Sequence, residues 1–227
     1  MATTRLRAAS DVVVRLLTVT GEVARETRAL QRAVKKMPKP VSWDWAAPRM
    51  LPILCGPSFD RPGEPLVRAR SAVGPMVQFG IDLGGVFTYV DEPVARRWEC
   101  SRDQLMDRAL KNLHDRACRI REAQVVSGVM SGRSIRLLRD RPGWASSLIL
   151  DPEGLFRLFG DHDQIVGTPT GSILLSMPID TPPRIVAEII VDFERDTMRS
   201  LWLDPFVVSD RQIIWCLDDD REDGLKE

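Results

Sequence analysis

Seven prolines lie between residues 38 and 65, at Pro38, Pro40, Pro48, Pro52, Pro57, Pro62 and Pro65. Each fixes φ and removes a backbone donor, so no long helix runs through this stretch. A disordered linker is the ordinary alternative. Trp43, Trp45, Leu51, Ile53, Leu54 and Phe59 argue against it, because disordered segments carry little apolar surface. The pattern predicts an extended strap over residues 38–65. Its tryptophans dock on the chain's own core or, in the competing reading, on a partner. On that second account Trp43 and Trp45 are candidate binding residues.

Ahead of the strap, Leu16, Val23, Leu30 and Val34 recur at helical spacings, with Asp11 near the start. One long helix over residues 11–36 is expected, within an N-terminal arm of residues 1–37, with Gly21 as its weak point. Residues 1–39 hold nine basic and three acidic residues. Organelle leaders share that bias, but Glu22 and Glu26 keep an i, i+4 charge pattern with neighbouring arginines, which favours a helix of the folded protein. Residues 180–227 hold six basic and thirteen acidic residues and end in an acidic tail at 218–227. Both ends are read as solvated faces.

Residues 66–217 are expected to form one α+β domain. The stretches 66–73, 76–83 and 86–90 alternate or are rich in β-branched and aromatic residues, which predicts strands. "GIDLGG", residues 80–85, sits between two of them and reads as a hairpin turn. Asp91 and Pro93 open a short helical turn. Ser101 and Gln104 then make a capping box for a helix over 102–117, with Leu105, Ala109, Asn112 and Leu113 sharing one face. The sequence predicts a loop with two glycines feeding a strand at 134–139, another strand ending at Leu150, and a helix from Asp151 to Phe159. Short strands follow on either side of Gly171. A last helix is capped at Thr181, and a hairpin turns at Ser209 and Asp210. Strands and helices mix without a βαβ repeat. The fold class is therefore α+β: a mainly antiparallel or mixed sheet with helices packed on one face, preceded by the long N-terminal helix.

Lysine plus arginine and aspartate plus glutamate both number 32, so no global charge draws the chain to nucleic acid or to an anionic membrane. No apolar run is long enough for a membrane span. Cys55, Cys100, Cys118 and Cys216 form no C-x-x-C pair, which reads as reduced thiols in a cytoplasmic protein. Phosphate-binding glycine motifs are missing, and no cofactor is expected. "GVMSG", residues 128–132, puts Ser131 one place late for a nucleophile elbow. Asp161, His162 and Asp163 are adjacent on one connection, which suits a turn better than a metal, so no metal site is expected. Arg133, Arg136, Arg139 and Arg141 read as protection of a sheet edge rather than as a nucleic-acid face. His114 ends its helix, where a positive charge suits the helix dipole. Asn112 sits beside an apolar face, where a buried amide must find partners. It either ties the helix to a loop, the favoured reading, or points into a cleft.

Two stretches resemble the YtpQ-like bacterial family. In the first the matching residues are Tyr89, Val90, Trp98, Leu105, Ala109, Asn112 and Leu113; in the second they are Ala145, Ser146, Leu148, Leu150, Val166, Pro169 and Leu174. The resemblance spans roughly residues 66–217. Where the family reads Pro-Ser-Arg-Asp, this chain has Pro169, Thr170, Gly171 and Ser172, so no role of that arginine and aspartate carries over. The family has no established activity, so the resemblance implies a fold and no reaction. The leading expectation is a non-catalytic module that binds a protein partner or a second copy of itself. The alternative is a small-molecule-binding protein or carboxylate-dependent enzyme with a cleft near helix 102–117, using Asn112 and His114.

Overall fold

A computed structural model describes residues 27–56, 66–140, 142–195, 200–201, 203–210 and 212–215. The expected helix up to residue 26, residues 57–65 of the strap, Arg141, Cys216 and the acidic tail lie outside the described residues. Residues 27–35 are helical (α1). The chain is α+β, but its strands form two antiparallel sheets instead of the expected one.

The smaller sheet is built on β3 (Met76–Asp82). β1 (Met50–Leu54) pairs with one edge of β3, and β2 (Arg68–Arg70) and β4 (Phe87–Tyr89) share the other. The larger sheet has six strands in the order β10-β9-β7-β8-β6-β5. These are β5 (Val125–Met130), β6 (Arg133–Arg139), β7 (Gln164–Thr170), β8 (Ile173–Pro178), β9 (Phe206–Ser209) and β10 (Gln212–Trp215).

The strap is corrected in part. It contains a one-turn helix, α2 (Trp43–Ala46), and the strand β1, whose five residues are all buried. Pro52 is tolerated there because β1 is an edge strand with one neighbour, so a missing N–H breaks no second ladder. A boundary at residue 65 therefore does not divide the fold, since β1 precedes it and pairs with β3 beyond it.

Helices cover the sheets in layers. α3 (Glu92–Arg97) leads into α4 (Arg102–Ala117). Leu105 and Ala109 of α4 pack with Met50, Phe79 and Ile81 in one core. Leu113 and Ala117 enter a second core between the sheets, with Leu51, Ile53, Leu148, Leu174 and Phe206. α5 (Pro152–Phe159) adds Leu155, Leu158 and Phe159 to it. α6 (Pro183–Arg195) covers the opposite face of the large sheet, where Ile189 meets Ile135, Leu175 and Met177. The alternation of Leu174 to one core and Leu175 to the other is the period-two signature of a strand buried on both faces.

Three further expectations are revised. Residues 145–150 form a 3-10 helix, not a strand. Asp140 accepts hydrogen bonds from the amides of Gly143, Trp144 and Ala145, which turns the chain at the start of that segment. Ser146 donates to the Gly171 carbonyl, and Ser147 accepts from the Leu54 amide, so hydroxyls replace a strand ladder. Residues 125–130 are a strand, not a loop. Ser131 and Gly132 both take positive φ, the conformation of a tight two-residue hairpin turn, and Gly132 takes it without strain. Thr181 is buried, but its hydroxyl has no hydrogen-bond partner, so it is no side-chain cap.

A chain begun at residue 66 should fail to unfold cooperatively, because the partner strand of β3 and part of both cores are gone. Urea unfolding followed by circular dichroism checks this; a cooperative transition at the full-length midpoint would refute the placement of β1.

Candidate functional site

α4 begins with the expected capping box: Ser101 accepts from the Gln104 amide at 3.2 Å, and the Ser101 amide donates to the Gln104 side chain at 2.8 Å. Leu105, Ala109, Leu113 and Ala117 then recur every fourth residue and are fully buried. That stripe fixes the rotation of the helix and so the direction of every other side chain on it.

Asn112 lies beside the stripe and donates to two carbonyls, of Ala47 at 2.7 Å and Met50 at 2.8 Å. The amide is the structural tie, and its donors are occupied by the chain itself. Trp43 and Trp45 lie in the same region. Both are half-buried against the core that holds Met50 and Phe79. The Trp43 ring sits 5.6 Å from that of Trp98, whose indole donates to the Val41 carbonyl at 2.9 Å. The Arg49 guanidinium lies over Trp45 at 4.7 Å. These three expected binding residues join the helix to the strap and bring no ligand chemistry together.

His114 stands apart from them, on the last turn. Its Nδ1 lies 3.2 Å from Asp151 Oδ1, and its Nε2 lies 3.5 Å from Cys118 Sγ. The Asp151 side chain is 9% exposed and that of His114 39%. Cys118 is an exposed free thiol. Asp151 precedes the first turn of α5, yet its carboxylate does not cap that helix. One oxygen meets His114, and the other is buried without a partner. α5 can approach this closely because residue 154 is glycine; a Cβ there would overlap the Asp151 carboxylate and the Ala117 methyl. Arg157, one turn further, donates to the carbonyls of Ala117 and Ile120 and so caps the end of α4.

The hydrogen bond and charge of Asp151 raise the His114 pKa above its ordinary value; desolvation opposes this, and Glu153 and Asp115 add to it. The imidazolium is thus favoured by folding. The pair stabilises the fold fully below the unfolded value of about 6.5 and loses this contribution as pH rises through the folded value.

A second polar cluster lies nearby. Arg116 donates to Asp82 at 2.5 Å and stacks 5.2 Å over Trp144. Burial opposes the charge on Asp82, but hydrogen bonds from Arg116, Gly85 and Gly84 outweigh it and hold the carboxyl below its ordinary range. Burial lifts Asp140 instead, against the three amides it receives. Both carboxylates organise turns, at Gly84–Gly85 and at Gly143–Ala145, and their partners are internal. Two arginines of β6 are also engaged: Arg133 pairs with Asp180, and Arg136 donates to the carbonyls of Leu158 and Phe159. Among the described residues no group of three acids, histidines or cysteines is placed to hold a metal, and no helix is long and apolar enough to cross a membrane.

No family model matches the chain, and no curated protein or solved structure matches it either.

Sequence reasoning found His114 but missed Cys118 and Asp151. The four-residue step from His114 to Cys118 was a readable signal, since i and i+4 meet on one helix face. Asp151 is 37 residues away and carried none. Two outcomes are expected. Asn112→Leu takes the side-chain donor from the Met50 carbonyl and leaves the Ala47 carbonyl only the Met50 amide, and should cost about 1–3 kcal/mol in urea unfolding. Asp151→Asn should lower the His114 titration midpoint toward 6.5 in a nuclear magnetic resonance titration; an unchanged midpoint would show that the pair is not formed.

Proposed function

We propose that this chain is a protein-binding module that takes an extended segment of another protein as a further strand beside β5. The observation that carries the reading is the exposure of Val126 and Val129, at 60% and 72% the highest among the described large apolar residues. β5 is an edge strand of six residues, Val-Val-Ser-Gly-Val-Met, with no charge and no proline. Natural sheet edges are usually blunted by lysine, proline, a bulge or shortness, because an open ladder recruits other strands. β5 has none of these devices.

The hairpin register supports the same reading. A two-residue turn makes Met130 and Arg133 a hydrogen-bonded pair, so Gly128 and Val126 also bond inward. Ser127 and Val129 then direct their N–H and C=O groups away from the sheet. An incoming strand gains backbone hydrogen bonds from these groups and apolar contact from the two valines. Val126 and Val129 lie on opposite faces of β5, so the partner is accordingly an extended, neutral segment with apolar or β-branched side chains on both of its faces. The tryptophans of the strap no longer support a docking role, since they pack on the chain's own core.

The test is amide hydrogen exchange of residues 125–130 with and without a soluble peptide of alternating valine and threonine. The amides of Ser127 and Val129 should exchange rapidly in the free chain and slow by at least about tenfold with peptide, the change a binding free energy near 1.4 kcal/mol produces. Val129→Lys should abolish the protection while leaving the circular dichroism spectrum intact. Equal exchange with and without peptide at millimolar concentration would sink the proposal.

A further inference from the structure

Three groups at the junction of α4 and α5 stand in line. The Cys118 thiol is exposed, His114 Nε2 is 3.5 Å from its sulfur, and His114 Nδ1 is 3.2 Å from Asp151. A nucleophile, a base within reach of it, and a buried carboxylate that orients the base form the recurring arrangement of nucleophilic catalysis. That Asp151 is buried with its second oxygen unpartnered is a separate observation, because a buried carboxylate without a full set of donors is costly and calls for a reason. Holding an imidazole beside a thiol is such a reason.

We propose that Cys118 is a nucleophilic thiol that accepts an acyl group, with His114 as its base and Asp151 as the residue that positions the imidazole. This is independent of the β5 reading. Asp151 accepts a hydrogen bond from the Nδ1–H, which leaves Nε2 free to take the proton of the Cys118 thiol. The sulfur then attacks the carbonyl carbon of an ester or thioester. The S–C bond forms, the bond to the leaving group breaks, and His114 returns its proton to that group. Water, deprotonated by His114, cleaves the resulting thioester and restores the thiol. Every proton and electron pair stays among these three side chains, the acyl donor and water.

The obvious objection is the helix end. Cys118 is the C-cap of α4, where the dipole places about half a negative charge and disfavours a thiolate. Arg157 answers it: a full positive charge sits on the carbonyls of Ala117 and Ile120, on either side of Cys118. Arg119 and Arg121 follow in the chain, while Asp115, Glu122 and Glu153 are the acids of the neighbourhood. The raised basicity of His114 favours transfer of the thiol proton to it.

The test is the rate of iodoacetamide alkylation at pH 6.5, resolved by peptide mass spectrometry so that Cys118 is separated from Cys55, Cys100 and Cys216. In the intact chain Cys118 should react faster than free cysteine at the same pH, because His114 stands within reach of the thiol proton. His114→Gln should slow this alkylation by roughly tenfold or more, and Asp151→Asn should slow it by less. p-Nitrophenyl acetate serves as the acyl probe: a burst of nitrophenolate should accompany acetylation of the Cys118 peptide and vanish in Cys118→Ser, a variant that disturbs no buried group. A Cys118 alkylation rate equal to that of free cysteine in the intact chain, or the same rate with and without His114, would overturn the proposal.

Discussion

The contact between α4 and β1 is the constraint on which the other elements depend. β1 is buried at every position although it is an edge strand, so something other than a second strand must cover it. α4 supplies that cover along its length, with Leu105 and Ala109 in one core and Leu113 and Ala117 in the other. Alanine at two of the four stripe positions lets the helix lie close. The amide of Asn112 then fixes the register, because a slip of one residue moves it about 1.5 Å along the axis. Both hydrogen bonds would be lost, taking the side-chain donor from the Met50 carbonyl and leaving the Ala47 carbonyl only the Met50 amide. Apolar packing holds the two elements together, and one polar side chain selects the position in which they are held.

The same logic is repeated at the helix ends. Each helix leaves carbonyls without partners at its C-terminus, and a guanidinium can satisfy two of them at once. Arg136 of β6 does this for α5, and Arg157 of α5 clamps the exit of α4 by donating to the Ala117 carbonyl at its end and to the Ile120 carbonyl just beyond it. Arg136 also lies 5.7 Å over the Phe159 ring. A chain of contacts thus runs from α4 through α5 into the large sheet. Asp151 is carried within it, and its distance from His114 follows from helix packing and from the glycine at 154.

What the sequence disclosed follows from how far each signal reaches along the chain. The capping box at Ser101, the turn at Asp82–Gly85 and the short helix behind Asp91 depend on residues a few places apart, and all three form as expected. β1 was hidden by Pro52, which is acceptable only because the strand has one neighbour, and neighbours are not written locally. Residues 145–149 are buried all round, so they carry no period, and a strand was the natural expectation for such a run. β5 reads as a loop in the sequence because an exposed strand with serine and glycine lacks the apolar alternation of a buried one. For the site, the helix and His114 were legible while its partner Asp151 was not, since only the fold brings α5 to α4.

Helix ends ordinarily fray, and a group on a fraying turn is a poor base. The last turn of α4 is placed to resist this. Leu113 precedes His114, Ala117 precedes Cys118, and Ile120 follows two residues later; all three are buried. Opening the turn would expose at least a leucine and an isoleucine side chain, at roughly 1.5–3 kcal/mol each. It would also strip the two carbonyls from Arg157. His114 and Cys118 therefore face solvent from a backbone fixed on its inner side. A thiol held in that way meets its base without an ordering step, which a thiol on a loose terminus would have to undergo first.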